Sequence, residues 1–272
     1  MINALSGCST VFFDWLLKPF AALPPAAGLY AVSFVTGILF LKLFGLCSNQ
    51  ARIKAAKSKI QAHILEIVLF RNHLGLSLKA AVKALATNFL YLRYALVPFL
   101  VLMVPAILIL AQLYLRYEHR PLKVGDETWV TVKVADNQAM DRLTLAASDG
   151  LEVILPPLVL KAKHEASWRV KALEPGKKQL TVQSDDKTYG MDMYVGESVP
   201  LLSSGRFKSW FKSLLYSADK NLGKESTLEE IFVKYPKVNY SLLGYQVHWM
   251  LIFLVVSLAA GFLFKGVLKV EI

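Results

Sequence analysis

Cysteine is nearly missing from this chain. Cys8 and Cys47 are the only two, far apart and in no metal-like spacing, which excludes a zinc cluster and a disulfide framework. Charge is scarce as well. Asp, Glu, Lys and Arg make up 19% of residues against 55% apolar ones, and the mean hydropathy is +0.43, too apolar for an ordinary soluble protein of this length. No Ser/His/Asp arrangement and no pair of carboxylates stands out, and acids such as Glu165 and Asp192 read as a solvated face. The chain is therefore expected to be no enzyme, with no cofactor and no metal ligand. Leu5-Ser6-Gly7-Cys8 has the outline of a lipoprotein cleavage box, but no apolar stretch long enough to be a signal region precedes it. The net charge of +11 is assigned to loops that set topology and meet anionic lipid, not to specific nucleic-acid binding.

The apolar residues that are present cluster. Residues 95–115 hold no charge, 26–47 hold only Lys42, and 247–264 form a third, shorter run. At about 1.5 Å rise per residue the first two suffice for a hydrocarbon core about 30 Å thick, and the third crosses with little tilt. Three such runs in one small chain cannot easily share one soluble core. The expected fold is an α-helical membrane protein with three transmembrane helices and a lipid bilayer as its first partner.

Orientation follows from the loops. Between the first two runs, residues 48–94 carry Arg52, Lys54, Lys57, Lys59, Arg71, Lys79, Lys83 and Arg93 against Glu66 alone. A short loop that basic stays in the cytoplasm. The long stretch from 116 to 245 is near charge balance, and Lys265 and Lys269 follow the third run. The N-terminus is thus expected outside, the large domain outside and the C-terminus inside. Tyr114, Tyr117, Tyr245 and Trp249 would mark the outer interface. The outer compartment is a periplasm, a cell exterior or an organelle lumen. The working assignment is a bacterial inner membrane with the outer domain in the periplasm.

Each polar piece has its own pattern. Residues 1–25 include TVFFDWLLKPFA, whose Phe12, Phe13, Trp15 and Leu16 oppose Asp14 and Lys18, the pattern of an interfacial helix. The other reading is a plain extension of the first span, which Pro24 and Pro25 oppose. Over 48–94, Ile53, Ile60, Ile67 and Leu74 recur every seven residues, with Ala56, His63 and Phe70 between them, a narrow coiled-coil-like seam. Asn72-His73-Leu74-Gly75 would stop that helix and Ser77 cap the next, which carries Ala81, Leu85 and Phe89 into the second span. The two are expected to pair as an antiparallel, basic cytoplasmic hairpin. His63 on the seam reads as a core histidine before a ligand.

The period changes to two across 116–200. TWVTVKV, DRLTLAA, LEVILP, ASWRVKAL, KQLTVQS and YGMDMYVG alternate between turn signals such as Asp149-Gly150, Pro175-Gly176 and Asp185-Asp186. This predicts a small extracytoplasmic β-sandwich, immunoglobulin-like in build, with Leu173–Val182 as a late hairpin. Residues 201–246 then hold a second interfacial helix, with Phe207, Trp210, Phe211 and Leu214 on one face, and a return segment in which Ile231 and Val233 supply another strand. Trp15, Trp210, Phe211, Tyr245 and Trp249 are the candidate membrane-interface residues. Residues 265–272 form the cytoplasmic tail.

The basic loop ARIKAAKSKIQAHILEIVLFRNHLGLSLKAAVKAL (51–85), the aromatic piece FFDWLLKPF and the placement of the spans together resemble the YidC/Oxa insertase superfamily. The likeness is to its short three-helix branch, which includes archaeal YidC-like proteins and the third subunit of the endoplasmic reticulum membrane complex. It covers roughly residues 9–115 and 246–272, and the β-domain stands as an insertion. The resemblance implies a non-catalytic insertase or membrane chaperone that eases polar segments of client proteins into the bilayer through a cytoplasm-open groove. Client membrane proteins or a ribosome would meet Lys42, Arg52, Lys54, Lys57, Lys59 and Arg71. For Lys42 two readings stay open: a charge inside that groove, or a lysine snorkelling to headgroup water. The alternative function is a membrane-anchored accessory subunit whose β-sandwich binds a partner in a membrane complex.

Overall fold

The computed structural model describes residues 10–11, 13–15, 18, 24–136, 140, 142–184, 187–196, 201–217, 219, 221–223, 225–242 and 244–270. The box ending at Cys8, the side chains of Phe12 and Leu16, and the turn Asp185-Asp186 lie outside the described residues. The chain divides into two compact units, one of residues 27–107 with 250–272, the other of residues 1–26 with 108–249.

The first unit is helical. α1 (Pro25–Cys47), α2 (Gln50–Leu69) and α3 (Leu74–Tyr117) follow one another, and α5 (Trp249–Phe264) enters the unit from Met250. Among the described residues α1 and α3 are the two helices long and apolar enough to cross a membrane. α3 leaves Leu96, Val97, Phe99, Leu100, Val101 and Val104 uncovered, apolar surface that a soluble fold would hide. Its Pro98 and Pro105 each remove a backbone donor, which membrane helices tolerate. α5 is apolar on all sides but has 16 residues, about 24 Å of helix. The run that starts at Val247 loses its first two residues to a strand, so the third expected span is shorter than the sequence pattern suggested.

α1 and α5 meet at small residues. A Cβ on Gly37 would lie 2.2 Å from the Ser257 carbonyl oxygen, so only glycine admits this approach of two backbones. Ser33 is fully buried and returns its hydroxyl to the Leu29 carbonyl at 2.6 Å. α2 is capped by Asn49, whose side chain accepts the Arg52 N–H. Its least exposed positions, together with Phe70 just after it, are Gln50, Ile53, Ala56, Lys57, Ile60, His63, Glu66 and Ile67, which contain the seven-residue seam except Leu74. The break falls at 70–73 and α3 already begins at Leu74, so Leu74 is 85% exposed and Ser77 sits within the first turn instead of capping it. On α3 the covered face is Ser77, Ala80, Ala81, Ala84, Thr87, Tyr91 and Tyr94. Leu85 and Phe89 point outward, and the less exposed side carries the small residues Ala80, Ala81 and Ala84. The Arg52 guanidinium lies over the Tyr94 ring at 5.7 Å, which joins the start of α2 to a late turn of the same stretch of α3, the contact of an antiparallel pair.

The second unit is built on β-strands. β1 (Glu127–Val134), β3 (Leu151–Leu160), β4 (Glu165–Ala172), β7 (Gly205–Phe207) and β8 (Leu228–Val233) form an antiparallel sheet in the order β3-β4-β1-β8-β7. β2 (Thr144–Ala147), β5 (Gly176–Ser184) and β6 (Lys187–Val195) form a second sheet in the order β2-β5-β6. Strict alternation in β1 and β4 sends Val130, Val132, Val134, Trp168 and Val170 inward, where they meet Leu180, Val182, Met191 and Met193 of the other sheet. β9 (Asn239–Leu242) and β10 (Tyr245–His248) make a separate hairpin.

Two expectations are corrected here. An immunoglobulin sandwich puts its first, second, fifth and fourth strands in one sheet, whereas here β1 lies between β4 and β8 and β2 is in the opposite layer. Pro175-Gly176 accordingly joins two sheets instead of turning a hairpin, with Gly176 at φ +119°. The domain also does not end at residue 200, since β8 pairs with β1 through Val130–Val233 and Val132–Ile231. Ile231 and Val233 are fully buried, so the strand that closes the core arrives after α4 (Trp210–Tyr216).

Candidate functional site

The basic residues of the first unit do not gather in one place. Lys42 is exposed on α1, and the polar side chains buried in that helix are Ser33 and Thr36. Arg52 lies over Tyr94. Lys59 and Arg71 are exposed on α2 and the following turn. Lys54 and Lys57 instead line a concavity of about 480 Å³ with Gln50, Lys265 and Lys269. The two tail lysines were read in the sequence only as topology charges. Their four-residue spacing directly after an apolar helix was the available signal.

On the same pair of helices the apolar residues are the unusual feature. Ile64, Leu65, Val68 and Leu69 of α2 and Leu74, Leu76 and Leu78 of α3 are all at least half exposed. They surround the turn between a basic helix and its partner, an apolar tip on a positively charged stem.

The second unit has a cavity of about 930 Å³ where the end of α3 meets β1, β8 and α4, with Tyr114, Trp129, Phe207, Lys212, Tyr216 and Tyr235 among its walls. Phe207 is 3% exposed in β7, so it belongs to this wall and not to the expected interfacial face. Its wall also includes Glu118 and Lys237, part of a polar cluster that sequence reasoning missed. The Glu118 carboxylate, 5% exposed, accepts from Lys237 Nζ at 2.9 Å, from the Trp249 indole N–H at 2.5 Å and lies 2.7 Å from His248 Nε2. Burial pushes this carboxyl up, but the hydrogen bonds from Lys237 and Trp249 and the charge at His248 outweigh it and hold the group below the usual range. Burial drives the neighbouring His119 imidazole down. The Glu118 backbone carbonyl also accepts the Val238 N–H at 3.1 Å. One residue thereby ties the last turn of α3, the strand-free segment before β9 and the first residue of α5. A single carboxylate after an aromatic helix end gave no sequence signal for this.

The interface candidates divide. Trp15, Trp210, Phe211 and Tyr245 are 72%, 56%, 45% and 76% exposed. Trp249 is 1% exposed and spends its N–H on Glu118, so it is a core residue; Tyr117, likewise buried, packs edge-on against Tyr240. Near the N-terminus Arg116 is ion-paired with Asp14, hydrogen-bonded to Gln112 and set over the Phe13 ring. This holds the aromatic N-terminal piece on the same end of α3 as the β-domain. Among the described residues no group of three His, Cys, Asp or Glu could hold a metal ion. Comparison with known protein families, curated proteins and solved structures found no match.

Proposed function

We propose that the chain is an integral membrane protein of the YidC/Oxa insertase type, one that eases polar segments of client proteins into the bilayer without bond chemistry. α1, α3 and α5 are its three membrane helices, with the N-terminus outside and the paired helices in the cytoplasm. The β-domain lies outside, in the periplasm if the host is a bacterium. The observation that carries the reading is the apolar tip on its basic stem, set between two helices long enough to cross a membrane. Exposed leucines suit an apolar client helix, and the surrounding lysines and arginines suit acidic flanks or ribosomal RNA. Lys42, exposed on α1, fits snorkelling better than a groove charge.

The test is depletion and rescue of insertion of short-tailed membrane proteins. Leu65→Asp with Leu69→Asp alters side chains that are 69% and 77% exposed, so the variant should fold and accumulate yet fail to rescue. Full rescue by it removes the insertase reading.

One observation favours an accessory role through the outer domain. β3 is one of the two edge strands of the five-stranded sheet and exposes Ile154, Leu155, Leu158, Val159 and Leu160. Apolar edges of this kind take partners. Leu155→Asp with Leu158→Asp that abolishes function, beside a silent tip variant, would move the working part to the β-domain.

A further inference from the structure

The outer face of the five-stranded sheet carries a cavity that the insertase reading leaves unused. Alternation in β1 and β8 buries Val130, Val132, Ile231 and Val233 on the sandwich side, so Trp129, Glu230 and Phe232 turn to the other. There they line the cavity of about 930 Å³ together with α4 and the last turns of α3. That volume lies within the range of small-ligand sites, about 300–1,000 Å³. The lining residues all belong to the second unit.

Part of the wall is a continuous row of rings. Between ring centres, Phe207 lies 6.1 Å from Tyr216, Tyr216 4.9 Å from Tyr114, Tyr114 5.4 Å from His119 and His119 6.5 Å from Tyr235. The sheet adds Trp129, with the Arg169 guanidinium over its ring at 5.9 Å. The polar part of the wall consists of ion pairs. Glu230 is paired with Lys212, Glu127 with Arg169 at 2.6 Å and Glu118 with Lys237 at 2.9 Å.

Rings and ion pairs together select a ligand class. An aromatic face is the negative side of a quadrupole, so it takes C–H groups or cations before anions. A cation would have to compete for carboxylates that each already hold one. A hydrocarbon chain would strip water from the ion pairs and return no hydrogen bond. A neutral sugar ring suits both parts of the wall. Its C–H faces lie on the aromatic rings, and its hydroxyls reach the ion pairs. One partner does not exhaust these, since a carboxylate has about four lone-pair sites and an ammonium about three donors. We propose that the cavity binds a neutral glycan, with Trp129 and Tyr216 as ring contacts and the Glu230–Lys212 pair as hydroxyl contacts. The proposal concerns the second unit alone and does not depend on the insertase reading.

The experiment uses the full chain in a polyoxyethylene detergent, because a glycoside detergent would compete. The labelled protein is applied to an array of neutral, amino, sialylated and sulphated glycans, and the strongest neutral ligand is titrated by calorimetry. Neutral glycans should be retained, with an affinity unchanged between about 0.05 and 0.5 M salt, since no charge on the ligand is there to be screened. Trp129→Ala should weaken binding about tenfold. Lys212→Met with Glu230→Gln, at side chains 46% and 24% exposed, should weaken it as well, and decides the question if circular dichroism shows the tryptophan variant unfolded. Trp210→Ala removes a ring of α4 that is 56% exposed and not part of the wall, and should leave binding unchanged. Retention of no neutral glycan, or of charged glycans only with loss at high salt, would overturn the proposal. Full affinity in the Lys212 and Glu230 double variant, or equal loss in Trp210→Ala, would do the same. Equal affinity for the free glycan and its alkyl glycoside would assign a soluble sugar, and tighter binding of the glycoside a glycolipid headgroup, both within the proposed class.

Discussion

Glu118 shows how one side chain can hold elements far apart in sequence. Its partners come from two places, Lys237 before β9 and the adjacent His248 and Trp249 where β10 passes into α5, and the carboxylate is nearly inaccessible to water. Removing the carboxylate costs about 1–3 kcal/mol, chiefly because the buried Trp249 indole N–H loses its acceptor, whereas Lys237, 69% exposed, turns to water. Glu118→Ala should lower the melting temperature in detergent by several degrees, and Glu118→Gln by less, since the amide oxygen still accepts from Trp249. The pH dependence has a definite sign. The folded carboxyl titrates below its unfolded value of about 4.3, so its contribution is present above that pH and is lost as pH falls through the folded value. Wild type should thus lose stability relative to Glu118→Gln as pH falls below the unfolded value of about 4.3. Parallel melting curves over that range would show that the cluster stores no charge-dependent stability. Lys42 is the opposite case. Exposed on α1, it should tolerate Lys42→Leu with insertion assays unchanged; loss of client insertion in an abundant Lys42→Leu protein, restored by Lys42→Arg, would return it to a groove.

At the scale of elements, what periodicity governs was legible and what tertiary choice governs was not. β1, β4, β5 and β6 follow the alternating segments because one face of each must be buried, and the seam Ile53, Ala56, Ile60, His63, Ile67 and Phe70 follows a repeat that any helix must present on one side. Sheet order was not legible. Alternation states that β8 has a buried face but not that it pairs with β1, and β3 keeps its strand through Pro156-Pro157 only because an edge needs fewer donors. The partner face of α3 was misread for a related reason: leucines looked like core, while the less exposed positions are Ala80, Ala81 and Ala84. The helix pair can be tested directly. With both native cysteines replaced by serine, cysteines at Arg52 and Tyr94 should crosslink through a short bifunctional reagent, since those side chains meet. Adding Ile60→Asp and Ile67→Asp should abolish the crosslink by putting charges on the seam. A crosslink that persists would mean the pair is held by its turn alone. For α1 and α5, Gly37→Ala should destabilise by about 1–3 kcal/mol through overpacking against Ser257, whereas Gly75→Ala, with open space around it, should be neutral or stabilising.

For the whole molecule, the distribution of charge and apolar surface makes topology the statement on which every functional reading depends. α3 shows a continuous apolar exterior over Leu96–Val104, and a membrane is the environment that makes such a surface favourable. On one side of it in sequence lies the basic pair of helices, on the other the near-neutral β-domain. Short basic loops are retained in the cytoplasm, while long domains cross largely regardless of charge. Lys57 and Lys177 should therefore lie on opposite sides. Cys47 is exposed and would itself react, so Cys8 and Cys47 are first changed to serine. Single cysteines at the two lysines are then challenged with a membrane-impermeant maleimide, in intact cells and after permeabilisation. Lys57→Cys should label only after permeabilisation, and Lys177→Cys, on β5 with its side chain 59% exposed, should label before it. Labelling of both from the same side would leave α3 as no true crossing. The insertase and the anchored accessory subunit would then fall together, because each requires the helix pair and the β-domain to face different compartments.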